Sequence, residues 1–235
     1  MNFVTYSHRY GLEIVNNMKE AQSKYNELCE VLRSIKEQEL VNEFQKRKIA
    51  KKKGKSLARI INMLIKERLI EKGWESESYI FKNQQINKST RDWRLDFVYP
   101  ELFSVEVAFN HSSAATVNLM KPVLASELNH VEKQFQTKFG IVITATQELK
   151  TSGGFDGAIG TFEGYSLQCK PLMNQLSTPM IIIGLKKPEE FEIIHSSVKS
   201  GGTTGSVYMK KLDKVLINEF IGEDGEIIKL PERGI

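Results

Sequence analysis

The chain has 235 residues, 40% of them hydrophobic and 26% charged, a globular balance that excludes a disordered or fibrous polypeptide. Its longest apolar runs, such as residues 180–185, are too short to span a bilayer, and the opening MNFVT lacks the basic-then-apolar order of a signal peptide. Cys29 and Cys169 lie far apart and form no paired motif, which argues against a disulfide scaffold or a zinc site and for a reducing, cytoplasmic compartment. The net charge of +4 is local: KRKIAKKKGK at 46–55 is basic throughout, and the remainder is slightly acidic. Such a run suits phosphate contacts or, equally, a solvated linker between two helices.

In chain order, residues 11–40 read as a helix, with Leu12, Val15, Met18, Tyr25, Leu28, Leu32 and Ile35 recurring mostly at three- and four-residue steps. After the basic run a second helix starts near Ser56, a suitable N-cap. It buries Leu57, Ile60, Ile61, Leu64, Ile65 and Leu69 and ends at Gly73. From Tyr79 the period becomes two. Trp93, Leu95, Phe97 and Tyr99 alternate with Arg94, Asp96 and Val98, and Phe103, Val105, Val107 and Phe109 alternate with Ser104, Glu106, Ala108 and Asn110. Both read as half-buried strands.

A third helix is expected from Ala115 or Pro122 to Gln136 on the stripe Val117, Met120, Leu124, Leu128, Val131 and Phe135, with Pro122 either starting or kinking it. Residues 139–145 and 180–185 read as short buried strands, separated by a glycine-rich loop at 152–160 and a helix at about 165–176. The tail from Phe191 is expected to form strands and turns, with SGGTTG at 200–205 as a loop. With no repeat and no long linker, the simplest organisation is one α/β domain over 1–235, a sheet flanked by helices. It comprises a helical part (1–75), a core (76–187) and C-terminal strands and loops (188–235).

Several chemistries recede. SGGFDGAIG lacks the lysine of a P-loop, and no GxGxxG opens a helix after a strand. His8, His111, His130 and His195 are scattered without ligand spacing, and no nucleophile elbow is present. What remains is Asp96 and Glu106 on successive strands. If these pair as a hairpin around Pro100, both carboxylates project from one surface, the hard oxygen set that Mg²⁺ requires. Two ordinary outward-facing acids on an amphipathic hairpin satisfy the same spacing. Two residues beyond Glu106 a further polar group would complete a metal- and water-positioning set, but the residue is Ala108, which also suits a small position beneath a helix.

The segments LDF (95–97), VEVAF (105–109) and SELNH (126–130), with INMLIKERLIEKGW (61–74) and YSHRYGLEIV (6–15) upstream and FGIVITA and MIIIGL downstream, resemble the type II restriction endonucleases of the BglII and BstYI group, BamHI being more distant. The resemblance spans about residues 6–187. It implies a PD-(D/E)xK core, a mixed sheet with an antiparallel catalytic hairpin flanked by helices, in a homodimer that cuts palindromic duplex DNA with Mg²⁺. Carried over, Asp96 and Glu106 match the two metal-binding carboxylates, the Val107 carbonyl a further ligand, and Asn62 a helix asparagine that helps position water. Ala108 departs from the pattern, since relatives place Gln or Glu there and the wider superfamily Lys. The resemblance therefore implies a chain that binds its site but cuts poorly or not at all through an engineered alanine, the alternative being a natural active site in which a group reaches in from elsewhere.

Asn110, His111, Ser112 and Ser113 stand where the group presents base-reading side chains, although Asn and Ser there also suit a helix N-cap. Asp156, in the glycine-rich loop, is suited to accept from a cytosine amino group. Lys51, Lys52, Lys53 and Lys55 suit phosphates. The stripe Leu124, Leu128 and Val131 is a candidate dimer face or an ordinary core stripe. Two alternatives stay open: a repair or junction nuclease on the same fold, and a non-cleaving sequence-specific DNA-binding protein.

Overall fold

The computed structural model describes residues 1–50, 54–89, 93–128, 130–197, 203–210, 219–221 and 227–229. Its centre is a six-stranded mixed sheet in the order β1-β6-β5-β4-β3-β2. These strands are β1 (Phe3–His8), β2 (Glu75–Tyr79), β3 (Arg94–Tyr99), β4 (Phe103–Val107), β5 (Phe139–Ala145) and β6 (Met180–Leu185). β4, β5 and β6 run parallel, while β1, β2 and β3 are antiparallel to their neighbours. The two expected buried strands at 139–145 and 180–185 pair in parallel and are buried along their whole length, as strands covered on both faces must be.

One sheet face builds the principal core. Phe103, Val105 and Val107 of β4 pack there with Ile141 and Ile143 of β5 and Ile181 and Ile183 of β6. Over them lie α1 (Gly11–Asn17), α2 (Lys19–Ser34), α3 (Glu37–Ile49) and α4 (Ala58–Glu71). The single helix expected over 11–40 is thus three segments. Its apolar stripe is right, since Val15, Tyr25, Leu28, Leu32 and Ile35 are buried. The backbone turns extended at Met18 (ψ 103°) and again at Ile35 and Lys36 (ψ 110° and 151°), letting the chain fold back over the sheet. α3 runs on into the basic segment, so Lys46, Arg47 and Lys48 form its last turn, where cations meet free carbonyls favourably. α4 buries the expected residues. Ser56 Oγ accepts from the Ala58 N–H at 3.4 Å, and Gly73 takes φ +82° just after the helix.

The opposite face is covered by α6 (Ala115–Ser126) and α8 (Phe162–Gln168). The third helix starts at Ala115 and contains Pro122, but ends ten residues earlier than expected, at Ser126. Residues 131–135 instead pair back onto the segment after β2, through Lys82 N–H to the Glu132 carbonyl at 3.0 Å and Gln134 N–H to the Ile80 carbonyl at 2.8 Å. Val131 and Phe135 keep their apolar role by packing on Ile80 and Phe81, and Leu128 is 93% exposed. Leu124, Leu128 and Val131 therefore do not form one helical stripe. The helix expected at 165–176 is shorter and earlier, as α8, and α5 (Gln84–Ser89) and α7 (Gln147–Ser152) were not anticipated. Nor were β1 and β2, whose mixed polarity hides the alternation. In the tail, β7 (Phe191–Ser197) pairs with β8 (Thr203–Met209), so the described end of the expected SGGTTG loop is strand, and 198–202 lie outside the described residues. β9 (Glu219–Ile221) and β10 (Ile227–Lys229) form a separate pair. Among the described residues no helix is long and apolar enough to cross a membrane.

α6 rests on β5 at Gly140, where an added Cβ would lie 2.5 Å from Pro122 Cβ and 2.7 Å from Met180 Cγ. Gly140→Ala should therefore lift α6 and cost about 1–3 kcal/mol. Gly157→Ala, with nothing within 4 Å of the new carbon, should change stability little. Urea unfolding midpoints of the two variants check this.

Candidate active site

β3 and β4 join in a tight hairpin, with Glu101 at φ +63° and the Leu102 N–H donating to the Tyr99 carbonyl at 3.1 Å. Val98 pairs with Ser104 and Phe97 with Val105. Because alternate residues share a face, Asp96 and Glu106 emerge together on the side covered by α6. Asp96 Oδ2 accepts from the Val107 N–H at 2.7 Å, which ties the first carboxylate to the strand carrying the second. Glu106 is not an outward-facing acid. Its side chain is 4% exposed, its Oε2 accepts from Lys121 Nζ of α6 at 2.7 Å, and its Oε1 is buried with no hydrogen-bond partner among the described residues.

The electrostatics follow from this enclosure. Burial first, and the neighbouring Asp96 second, push Glu106 up to about 8, against the pull of Lys121. Burial also raises Asp96, and the Val107 N–H and Lys121 oppose it. Two carboxylates thus share one ammonium, which leaves a buried negative charge uncompensated if both ionise. A hard divalent cation fits that deficit: Asp96 and Glu106 supply oxygens, Glu106 Oε1 is an acceptor without a donor among the described residues, and the Val107 carbonyl directly follows Glu106 in the chain. Among the described residues no group of three or more His, Cys, Asp or Glu side chains could hold a metal. Such an ion would therefore keep several non-protein ligands, as Mg²⁺ commonly does.

Ala108 lies on the same face, 2% exposed, in an apolar cluster with Ala115, Leu119, Val142 and Tyr165. Its carbonyl accepts from Thr144 Oγ1 and its N–H donates to the Ile143 carbonyl, at 2.9 and 2.8 Å. Asn62 is exposed on α4, whose stripe packs into the core on the other sheet face. Among the described residues no hydrogen bond joins it to either carboxylate. Two charged residues near the pair escaped sequence reasoning. Lys121 sits within the third helix with no pattern to mark it. Glu77 of β2, the strand next to β3, lies between the pairs Ser76–Phe97 and Ser78–Leu95 at φ +57°, is ion-paired to Arg94 at 2.9 Å and Lys66 at 3.3 Å, and its charge reaches Asp96.

The expected DNA-reading residues split into two groups. Asn110–Ser113 and the Asp156 loop are brought together: Gly160 N–H donates to the Asn110 carbonyl, Ser112 N–H to the Ala158 carbonyl, and His111 bridges Ile159. His111 Nδ1, rather than Asn110 or a serine, caps the short 3₁₀ turn at Ser112–Ala114 by accepting from the Ser113 N–H at 3.1 Å. Asp156 Oδ1 accepts from the Ala158 N–H at 2.8 Å and shapes its own loop. Buried Asn118 donates to Asn110 Oδ1 at 2.9 Å and to the Tyr165 hydroxyl at 2.7 Å, so α6 also anchors this edge. Lys55 is elsewhere, exposed beside a cleft lined by Arg47, Ser56 and Arg59, and its carbonyl meets His195 Nε2 at 2.8 Å. Lys51, Lys52 and Lys53 lie outside the described residues.

The Glu106 shift has a thermodynamic consequence in metal-free protein. Its folded value of about 8 exceeds the ordinary 4.5, so between these values the native state holds a proton that the unfolded chain releases. Native stability should fall as pH rises through that window, and Glu106→Gln should flatten the slope. Unfolding midpoints of the two proteins in chelator from pH 5 to about 8.5 measure the difference.

A family model described as restriction endonuclease BglII/BglIII matches residues 3–185, which include the whole six-stranded sheet and both carboxylates. Among solved structures, the chain is similar to restriction endonuclease BglII complexed with a DNA 16-mer. The TM-score is 0.60 at 18% identity, over 88% of this chain and 90% of that one. Free BglII gives a TM-score of 0.46 at 15% identity, over 97% and 100%. No curated protein sequence matches. At these identities the first likeness shows the fold, and the family match supplies the kinship. The chain belongs to the restriction endonuclease BglII/BglIII family, and its family and fold are those of a site-specific deoxyribonuclease.

Proposed function

We propose that this chain acts on palindromic duplex DNA as a homodimer, hydrolysing phosphodiesters in a Mg²⁺-dependent reaction at Asp96 and Glu106. The observation that carries the reading is the pairing of half-buried Asp96 with buried Glu106, whose Oε1 has no hydrogen-bond partner among the described residues. DNA as the partner draws support from the BglII–DNA complex that this fold resembles. Asp96, Glu106 and the Val107 carbonyl would hold the ion, while the water-ordering role of Asn62 rests on the family resemblance alone, since α4 packs over the other sheet face. Bound there, Mg²⁺ lowers the pKa of water and offsets charge developing on the phosphate. The Val107 N–H fixes Asp96, and the enclosure under α6 excludes bulk water from the Glu106 side. Asn110, His111, Ser112, Ser113 and Asp156 form one edge suited to base reading, and Lys51, Lys52, Lys53 and Lys55 hold phosphates.

Position 108 limits the rate. Ala108 has no group to position or deprotonate water, a loss worth roughly 10²- to 10⁴-fold. It also favours a second reading, a sequence-specific DNA-binding protein that does not cut.

Discrete fragments from phage-length duplex DNA in Mg²⁺, lost in chelator, are expected. Asp96→Asn and Glu106→Gln should each slow cutting by roughly 10²- to 10³-fold or more. Ala108→Gln, with thermal melting as a folding control, should speed it. Specific binding without cutting by any form would replace the nuclease reading with the second one. Cutting indifferent to duplex sequence would point to a repair or junction nuclease, and sedimentation showing only monomer with and without DNA would remove the homodimer.

A further inference from the structure

The polar contribution missing at position 108 is matched by a cation arriving from another element. Lys121 Nζ lies 2.7 Å from Glu106 Oε2, and its side chain is only 13% exposed, rare for a residue that normally keeps its ammonium in water. Its field also reaches Asp96. The placement is held from several sides. The next residue, Pro122, seats against Gly140, and one turn earlier Asn118 is tied to Tyr165 and Asn110. Ala108, just past the end of β4, packs in the cluster under α6, and its small side chain leaves the site's charge to be supplied from the helix.

We propose that Lys121 is a positioning residue of the nuclease site: it holds Oε2 of Glu106 so that Oε1 stays free for a ligand, and supplies beside the two carboxylates the positive charge that position 108 lacks. The inference rests on the nuclease reading above and deepens it. A buried ion pair is by itself weak evidence for a stabilising role, since well-packed apolar replacements are often neutral. A lysine that offsets two carboxylates where a phosphate must approach has an electrostatic role that a packing role lacks.

The test compares the unaltered chain with Lys121→Arg, Lys121→Met and the double variant Lys121→Met/Ala108→Lys, each checked by thermal melting. Two quantities are read: single-turnover cutting at saturating Mg²⁺, and affinity in chelator for a duplex that the chain itself selects from a randomised pool in Ca²⁺. Lys121→Met should cut at least roughly 10²-fold more slowly, on the scale of losing one preorganised donor, and bind about tenfold more weakly without metal. Lys121→Arg should stay within about tenfold of the unaltered chain in cutting, and Ala108→Lys should restore both quantities in the Lys121→Met background. Unchanged cutting and binding by a folded Lys121→Met would make the lysine merely structural. Faster cutting would make it a plug in the ion's place, and a folded double variant that restores neither quantity would also overturn the proposal. If no form cuts while metal-free binding follows the predicted pattern, the nuclease reading fails and the charge assignment stands. If the unaltered chain selects no duplex, both fall.

Discussion

Everything at the site depends on holding two carboxylates side by side, Glu106 buried and Asp96 half-buried, where water solvates them poorly. An isolated buried carboxylate is strongly disfavoured, and a second one beside it adds repulsion. The protein meets this with two local devices: the Val107 N–H on Asp96 and the Lys121 ammonium on Glu106. Neither satisfies Glu106 Oε1. The site is therefore built with a deficit of positive charge, and that deficit gives a buried acidic pair its use.

The helix above the pair is as important as the strands beneath it. α6 carries Lys121 over Glu106 and Asn118 to the Tyr165 hydroxyl and Asn110, and it approaches β5 closely only because residue 140 has no side chain. Charge at the carboxylate pair and order at the 110–113 segment thus share one mechanical support. The 110–113 segment and the 156–160 loop, far apart in sequence, meet through backbone hydrogen bonds at that edge. A disturbance of α6 reaches both.

The amino-acid sequence by itself determined the pieces whose periodicity is strong. Strands 139–145 and 180–185, the α4 stripe and the alternation that puts Asp96 and Glu106 on one side of a hairpin were all legible, because apolar burial imposes the pattern directly. The family was legible too, from motif order across the segment that the family model matches. Elements with mixed polarity were not. β1 and β2 pair at the two sheet edges, where side chains need not alternate cleanly, and residues 131–135 carry a helical stripe yet pack as extended chain on Ile80 and Phe81. Tertiary structure alone decided that Glu106 is buried rather than solvated, that Lys121 fifteen residues later is its partner, and that Ala108 is a packed apolar position. The physical reason is that a helix laid across a sheet sets distances through space, and spacing along the chain carries no record of them.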